Sequence, residues 1–232
     1  MALNFKKDKY CIIPKAISKQ MAEIAYDYII LKRRAAETLF KTKYIIPFEK
    51  MHGTWDDDQV PRTFSIYGDV LMDTLLEKCL PIAEKHSKLK LIPNYSYCRI
   101  YKKGDVLRRH KDRFSCEVSA TLNLGGDEWP IYINPDPKGG YTFGRKEGLH
   151  KVQDYKPSKD KGVKIILKPG AMLLYRGIDL EHWREAFDGA NCGQVFFHYN
   201  DYETKGSEKN LYDGRPHLGL PPDIKRVGWD RK

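Results

Sequence analysis

The spacing of apolar residues changes near residue 95, and this change places the strongest limit on the fold. Before it, apolar side chains recur at intervals of three and four residues, as on one face of a helix. One such series is Ile17, Met21, Ile24, Tyr28 and Leu31. A second series is Tyr67, Val70, Leu71, Leu75 and Cys79. The first third of the chain is therefore predicted to be helical, with the second helix ending or kinking at Pro81.

After residue 95 the apolar residues alternate with polar ones, which is typical of strands. Residues 95–101 and 117–124 show this alternation clearly. Shorter strands are predicted at residues 129–133, 163–167, 171–175 and 194–199. Glycine and proline residues separate these segments and indicate turns. Several short strands after a helical start predict an α+β fold, with a barrel or jelly roll and helices packed outside it.

The strand at residues 117–124 is open to two interpretations. Its apolar positions are Val118, Ala120, Leu122 and Leu124, and its polar positions are Glu117, Ser119, Thr121 and Asn123. The polar face is either exposed to solvent or lines a cavity inside the barrel. Alternation alone does not decide which face is inside.

Composition limits the class of protein. The 232 residues correspond to one domain, and 41% hydrophobic residues are enough to build a core. No apolar run reaches the ~20 residues of a membrane span, and residues 1–10 have no signal-peptide core. The five cysteines are scattered without a Cys-x-x-Cys pair, which favours a reducing cytoplasm. The net charge of +10 favours acidic ligands or nucleic acid without choosing between them.

Three residues form a candidate metal site. His110 and Asp112 are two positions apart, so on an extended segment they project to the same side. His182 follows another predicted strand. Two imidazoles and one carboxylate are the ligand set of non-haem iron(II) oxygenases, in which the remaining coordination positions stay open. A surface histidine beside a solvated aspartate is the alternative interpretation of the His-x-Asp motif.

The order of these motifs resembles a known family. Residues 95–130 and 168–201 contain Tyr-x-x-Gly at Tyr101, then His-x-Asp, Pro-Gly and the distal His182, each between strands. This arrangement resembles the 2-oxoglutarate- and iron(II)-dependent oxygenases, and within them the prolyl 4-hydroxylase-like group of bacteria and bacteriophages. The resemblance covers residues 90–201 well and the N-terminal part more loosely.

The resemblance implies a double-stranded β-helix, a jelly-roll or cupin-like core supported by N-terminal helices. The chain would be one oxygenase domain, with helical support at 1–90, the core at 91–205 and an irregular surface tail at 206–232. His110, Asp112 and His182 would bind Fe(II), with 2-oxoglutarate and O2 as cosubstrates and ascorbate as a further candidate cofactor. The implied reaction hydroxylates an unactivated C–H bond, with a prolyl residue of a peptide or protein as the expected target, and releases succinate and CO2.

The sequence departs from the family at the far carboxylate of 2-oxoglutarate. The family places a lysine or arginine nine or ten residues after the distal histidine, where this chain has Asn191 and Cys192. A buried carboxylate needs a cationic partner. We expect Arg184 to supply it, because it lies two residues after His182 and would point into the same cavity on an extended backbone. The alternative for Arg184 is a surface salt bridge with Glu181 or Glu185, and the reserve candidates are Lys168, Arg99 and Arg113.

Tyr97, Tyr101 and Thr121 are the further candidates for contacts to 2-oxoglutarate. Tyr101 and Thr121 lie close to positions at which the family has a pocket tyrosine. Ordinary packing of β-forming residues is the alternative for all three.

Basic residues crowd the metal motif. Residues 99–113 contain seven lysines and arginines but two aspartates, a local charge of +5. This segment is interpreted as a steering field for anionic ligands, as a contact for RNA, or as a solvated rim. The long connection at residues 134–161 is expected to be a lid or substrate-binding loop, together with the acidic residues 56–58.

Two other functions remain as alternatives. One is a nucleic-acid-modifying or nucleic-acid-binding protein on the same scaffold, and the other is a metal-binding module without catalysis. We expect a peptide or protein partner, favour nucleic acid less and expect no membrane. The sequence leaves the oligomeric state open.

Overall fold

A computed structural model of the protein describes residues 4–46, 49–147 and 150–225. The helices in these ranges are α1 (Phe5–Asp8), α2 (Lys19–Lys41) and α3 (Val70–Ser87). The strands are β1 (Tyr10–Ile13), β2 (Phe64–Tyr67), β3 (Leu91–Lys102), β4 (Leu107–His110), β5 (Val118–Gly126), β6 (Ile131–Ile133), β7 (Tyr141–Glu147), β8 (His150–Lys156), β9 (Val163–Ile165), β10 (Met172–Arg176), β11 (His182–Arg184) and β12 (Asn191–Asp201). Within the described ranges, none of the helices combines the length and the hydropathy that a membrane crossing requires.

The strands form two main antiparallel sheets that enclose the interior of the molecule. The larger sheet has the order β1-β10-β5-β12-β3-β2, and the smaller has the order β4-β11-β6-β9. Leu173 and Tyr175 of the larger sheet belong to the same buried cluster as Ile131 and Ile133 of the smaller one. The predicted α+β architecture, a two-sheet β-core with N-terminal helices outside it, is confirmed.

The helices cover the outer face of the larger sheet and decide the orientation of β5. The apolar side of β5, from Val118 to Leu124, shares the main apolar cluster with Ile29 of α2 and Leu75 of α3. The polar side therefore faces the second sheet. Of the two interpretations of this strand, the inward-facing polar side is correct, because Ser119, Thr121 and Asn123 are buried, whereas a half-exposed strand would leave them in solvent.

The apolar series that predicted helix α2 is not the buried face of this helix. Ile24 and Leu31 are 68% and 66% exposed, whereas the residues buried on this helix are Ala22, Ala25, Ile29 and Ala36. Small side chains allow the helix to lie close to the sheet, where Tyr26 fills the space above Gly193. The apolar period thus identified a helix but not the side on which it packs.

Helix α3 continues through Pro81 to Ser87, so of the two outcomes predicted at Pro81, an end or a kink, the end does not occur. Pro81 is exposed, and so is Glu77, whose carbonyl loses its helical hydrogen bond to the proline. The helix is capped by Asp69, whose side chain accepts hydrogen bonds from the backbone N–H groups of Leu71 and Met72.

Two predicted irregular segments are more ordered than expected. Most of the connection at 134–161 is the β7–β8 hairpin, a separate two-stranded sheet. The tail contains a 3-10 segment at Ser207–Gly214, and the next residue, Arg215, is completely buried. Its guanidinium pairs with Asp73 of α3. The prediction of a surface tail is therefore wrong for this part, because an ion pair holds it against the sheet.

Candidate metal centre

The structure brings His110, Asp112 and His182 together at the edge of the smaller sheet. His110 ends β4, and β11 begins with His182, its direct partner in the antiparallel pairing. The Nε2 atoms of His110 and His182 are 3.7 and 3.6 Å from Oδ1 of Asp112. One ligand atom from each of the three residues lies within 4.8 Å of the other two. Three residues up to 72 positions apart in the chain thus offer donor atoms around one point.

Backbone carbonyls fix the orientation of both imidazoles. Nδ1 of His110 donates to the carbonyl of Arg108 at 2.7 Å, and Nδ1 of His182 donates to that of Leu180 at 3.0 Å. Because a carbonyl only accepts, both Nδ1 atoms carry the proton and both Nε2 atoms present a lone pair that can accept. This arrangement is typical of metal-binding histidines.

The charge states also suit a cation. Burial and the neighbouring His182 lower the pKa of His110 to about 4, so its ring is neutral at pH 7. Burial tends to raise the pKa of Asp112, but the two histidines outweigh this effect and lower it. A neutral imidazole and an ionised carboxylate are the forms in which these two side chains bind a metal. The donor set, two nitrogens and one carboxylate oxygen, fits iron(II).

The three residues open into a cavity of about 370 Å³ between the sheets. Its wall includes aromatic side chains from the larger sheet, namely Tyr95, Tyr97, Tyr175 and Phe196. Arg99 and His198 also line it. The cavity therefore offers an apolar surface with a small number of polar groups beside the metal ligands, which is the usual composition of a small-molecule site.

Arg184 is buried in the same interior and has spare hydrogen-bond donors. It is 1% exposed, and its Nη1 donates to the carbonyl of Trp129. Its Nε and Nη2 have no hydrogen-bond partner among the residues that the structure describes. Burial lowers the pKa of Arg184, against the opposing influence of Cys192 and Tyr101. A buried guanidinium with two free donor atoms is ready to bind an anion.

The alternative interpretation of Arg184 as part of a salt bridge is wrong. Glu181 instead accepts hydrogen bonds from Arg109, Tyr155 and Ser158. Glu185 is exposed, whereas Arg184 points inwards. In the part of the chain that the structure describes, no carboxylate forms an ion pair with Arg184.

The reserve cations are placed differently. Lys168 is exposed and pairs with Glu128. Arg99 pairs with Asp57 of the acidic loop at 2.5 Å, so its charge is already balanced inside the cavity. Arg113 lies at the cavity wall, where it donates to the hydroxyl of Tyr95. Among these candidates, Arg184 is the fully buried cation without an acidic partner.

Tyr101, Tyr97 and Thr121 all face the interior. The ring of Tyr101 is completely buried, and its hydroxyl is 3.4 Å from Nη1 of Arg99. The hydroxyl of Tyr97 donates to Asp57 and so is already engaged. Among the described residues, Oγ1 of Thr121 has no hydrogen bond of good geometry. It is nevertheless close enough to the hydroxyl of Tyr175 to oppose the rise that burial causes in the pKa of that tyrosine. Thr121 and Tyr101 thus retain free capacity towards a ligand.

Four residues at the centre were not identified from the sequence. Ser119 donates a hydrogen bond to the carboxylate of Asp112, and His198 is hydrogen-bonded to Ser119. Asp57 and Gln59, from the loop at residues 53–62, line the cavity. The amide nitrogen of Gln59 donates to Nε2 of His110 at 3.1 Å. The polar face of residues 117–124 was the signal for Ser119, whereas nothing local in the sequence indicated that the acidic loop reaches the metal ligands.

Two cations remain at the mouth of the cavity. Lys111 donates to the carbonyl of Pro137, and its pKa is lowered by burial. Like Arg113, it has no acidic partner among the residues of known position. Three of the basic residues in 99–113 are neutralised, by the pairs Arg99–Asp57, Lys102–Asp105 and Arg109–Glu181. Four basic residues of the segment lack an acidic partner in the described part of the chain, Lys103, Arg108, Lys111 and Arg113, and the last two line the cavity.

Comparison with known proteins shows the fold. No family model matches the chain, and no curated protein matches its sequence. A prolyl-4-hydroxylase from Pseudomonas putida is similar in structure, with a TM-score of 0.52, 14% identity, and coverage of 84% of this chain and 95% of that one. HygX from Streptomyces hygroscopicus, crystallised with nickel and 2-oxoglutarate, has a TM-score of 0.55, 13% identity and coverage of 86% and 85%.

The non-haem α-ketoglutarate-dependent epimerase SnoN of nogalamycin biosynthesis is also similar, with a TM-score of 0.54, 13% identity, and coverage of 96% of this chain and 90% of that one. The chain thus has the double-stranded β-helix fold of the 2-oxoglutarate- and iron(II)-dependent oxygenases, as the sequence resemblance implied. A prolyl-4-hydroxylase and an epimerase catalyse different reactions, so the shared fold does not specify a substrate.

Proposed function

We propose that this protein is an iron(II)- and 2-oxoglutarate-dependent oxygenase. The observation that carries the proposal is the convergence of His110, Asp112 and His182 on one point at a cavity, together with the buried guanidinium of Arg184, which lies close to the cavity residue Tyr175. A metal-binding module without catalysis has no need of that guanidinium. A cosubstrate with two carboxylates needs both parts.

His110, Asp112 and His182 would hold the iron through two Nε2 atoms and one carboxylate oxygen. When bound, iron(II) with 2-oxoglutarate and O2 supplies the oxidising chemistry that converts a C–H bond to C–OH, with release of succinate and CO2. Three protein ligands on one side leave room for a bidentate cosubstrate and for O2. Ascorbate, as a reductant that maintains iron(II), is part of the proposal.

Arg184 would bind the far carboxylate of 2-oxoglutarate. Its free Nε and Nη2 lie in a geometry that matches a carboxylate. The carboxylate would at the same time compensate a guanidinium charge that is now buried without a counter-ion. Thr121 and Tyr101 would add hydroxyl contacts, and Tyr97 would act after release from Asp57.

We further propose a prolyl residue of a peptide or protein as the substrate. The Pseudomonas putida prolyl-4-hydroxylase has the same fold, and the cavity presents the rings of Tyr95, Tyr97 and Phe196, against which an apolar pyrrolidine ring can pack.

All five cysteines are free and buried. Free thiols are typical of a reducing compartment, which supports a cytoplasmic location.

Anaerobic titration tests the oxygenase. Addition of iron(II) and 2-oxoglutarate to the wild type should produce a metal-to-ligand charge-transfer absorption band. His110→Ala, Asp112→Ala and His182→Ala should each abolish it, and His86→Ala, which removes an exposed histidine on α3, should preserve it. A folded wild type without the band would contradict the proposal and favour a non-catalytic module.

Succinate release tests the substrate. A library of proline-containing peptides should stimulate release above the uncoupled rate, and the same peptides with alanine in place of proline should not. Stimulation by RNA or DNA, together with salt-dependent binding, would instead support a nucleic-acid substrate.

A further inference from the structure

The two oxygen atoms of Asp112 have different surroundings. Oδ1 faces the Nε2 atoms of His110 and His182. Oδ2 points away from them and accepts a hydrogen bond from Oγ of Ser119 at 2.6 Å. The backbone N–H of Asp112 donates to the carbonyl of Gly177 at 2.9 Å, which fixes the main chain. The carboxylate is therefore held from behind, with one oxygen free towards the metal site.

The hydroxyl of Ser119 has three polar neighbours but one proton. Besides Asp112, it lies 3.0 Å from Nδ1 of His198 and 3.1 Å from the carbonyl of Cys116. The Asp112 oxygen is the nearest neighbour, and an ionised carboxylate is the strongest acceptor of the three. Since Ser119 donates to Asp112, its bond with His198 requires that Nδ1 of His198 be the donor.

His198 is well placed for this task. It lies on β12 directly opposite Ser119 of β5, so the two side chains share the inner face of the sheet. Its ring is 4.6 Å from the ring of Tyr95, which limits its rotation. Burial lowers the pKa of His198 to about 4, so at pH 7 the ring is neutral with a single N–H. The direction of the hydrogen bonds is thus from His198 to Ser119 to Asp112.

Packing leaves little freedom behind the carboxylate. A Cβ atom at Gly177 would overlap Oδ2 of Asp112 and would lie 2.8 Å from Oγ of Ser119. The backbone at residue 177 therefore approaches the pair as closely as its lack of a side chain allows. The Asp112 carboxylate therefore cannot move towards residue 177, and its rotation would break the hydrogen bond to Ser119.

We propose that Ser119 and His198 are positioning residues that restrict Asp112 to metal binding through one oxygen. With Oδ2 held by Ser119, the carboxylate presents Oδ1 alone, and the coordination position that a two-oxygen mode would occupy remains open for the cosubstrate. The inference rests on the proposed function only in requiring that a divalent metal bind His110, Asp112 and His182.

Cobalt(II) binding, followed by visible absorption in the absence of 2-oxoglutarate, tests the role. Ser119→Ala should weaken Co(II) binding by about 10- to 100-fold, as is typical when a hydrogen bond to a metal ligand is removed. The absorption spectrum should also change, because the released carboxylate alters the coordination of the metal.

Ser96→Ala is the matched control. Ser96 is also completely buried, and its Oγ also donates to a buried carboxylate at 2.6 Å, that of Asp73, which is not a metal ligand. Both serine variants should lower the melting temperature of the metal-free protein, but Ser96→Ala should leave the Co(II) affinity unchanged. Equal Co(II) affinity in the two variants would overturn the positioning role.

Two variants of His198 test the direction of the hydrogen bonds independently. Asparagine and leucine have nearly the same shape, but the asparagine amide can donate from the approximate position of Nδ1. His198→Leu should weaken Co(II) binding several-fold, and His198→Asn should restore most of it. Equal loss in both would contradict the assigned direction. A wild type that does not bind Co(II) would overturn the metal centre itself, and the positioning role with it.

Discussion

Two of the arginines that the structure describes, Arg184 and Arg215, are at most 1% exposed, and their surroundings are opposite. Arg215, in the C-terminal segment, donates to Asp73 and to the carbonyls of Asn94, Tyr212 and Leu220. Arg184, inside the β-core, donates to one carbonyl and has two nitrogen atoms without a partner. The first pairs with a buried carboxylate, and the second has no such partner in the described part of the chain.

The difference separates a structural charge from a functional one. A buried charge is tolerated when hydrogen bonds and a counter-ion replace water, as they do around Arg215. A native fold that leaves a guanidinium uncompensated carries a cost in stability, and such groups are concentrated at binding sites.

The largest effect on stability should come from removing Arg215, which breaks its buried ion pair with Asp73. Arg215→Met should lower the free energy of unfolding by about 3–5 kcal/mol, because Asp73 would be left buried without its cation. Urea denaturation of the metal-free protein measures this change. The double variant Arg215→Met/Asp73→Asn should recover part of the loss. A decrease below about 1 kcal/mol would show that Arg215 is not needed to anchor the C-terminal segment.

Acid should act on the interior of the β-core rather than on the Arg215 region. Burial holds the pKa of His198 at about 4, below the value of about 6.5 for an unfolded chain. The unfolded state therefore takes up the proton first, and the stability that is present above pH 6.5 falls as the pH decreases towards 4. His110, with a pKa of about 4, contributes in the same direction.

For His198 alone the loss is on the order of 3 kcal/mol. Urea denaturation of the metal-free protein at pH 7.5 and at pH 4.5 measures it, and His198→Asn should show a smaller decrease between the two pH values. The same decrease in the variant as in the wild type would place the acid sensitivity elsewhere.

Arg184 should behave in the opposite way to Arg215. Arg184→Met should change the free energy of unfolding by less than about 1 kcal/mol, or increase it, because the substitution removes an uncompensated buried charge. The affinity for 2-oxoglutarate, measured calorimetrically with the Co(II) protein, should fall by about 10- to 100-fold. Arg184→Lys should lie between, since it retains the charge but not the planar pair of donors. Unchanged affinity in Arg184→Met would remove the anchor from the proposal.

The sequence predicted that Arg184 points into the interior but did not predict that Arg215 is buried, and the reason is physical. Arg184 lies two residues after a candidate ligand on a short strand, so local geometry was enough to aim it inwards. Arg215 is buried through a contact with Asp73, 142 positions away, and its polar surroundings in the sequence are typical of a surface tail. Local periodicity carries no information about a partner at that distance.

The same limit explains the other outcomes. The two-residue period of β5 correctly separated its two faces, but only the packing of α2 and α3 showed which face is inside. On α2 the apolar series predicted the helix but not its packing, because the buried residues include three alanines and a close approach to the sheet favours small side chains. The family resemblance predicted that the His-x-Asp motif and His182 meet at one metal site. The role of Ser119 could not be predicted, because it depends on the pairing of β5 with β12.

The smallest effect should come from the unpaired cations at the mouth of the cavity. Lys111 and Arg113 line the opening, and at low salt their field should speed the approach of 2-oxoglutarate without holding it. Lys111→Gln/Arg113→Gln should reduce the association rate constant by a few-fold at about 20 mM salt and have no effect at about 500 mM, where the field is screened. Stopped-flow mixing with the Co(II) protein measures the rate.

The matched control is Lys41→Gln/Lys168→Gln, which removes the same charge from two exposed lysines paired with Glu37 and Glu128. An equal decrease in the control would mean that net charge, not its position, sets the rate. A decrease in the mouth variant that persists at high salt would indicate direct contact with the bound ligand. In that case a cation at the mouth, like Arg184 and unlike Arg215, would serve binding instead of stability. The site would then hold its anion at two points instead of one.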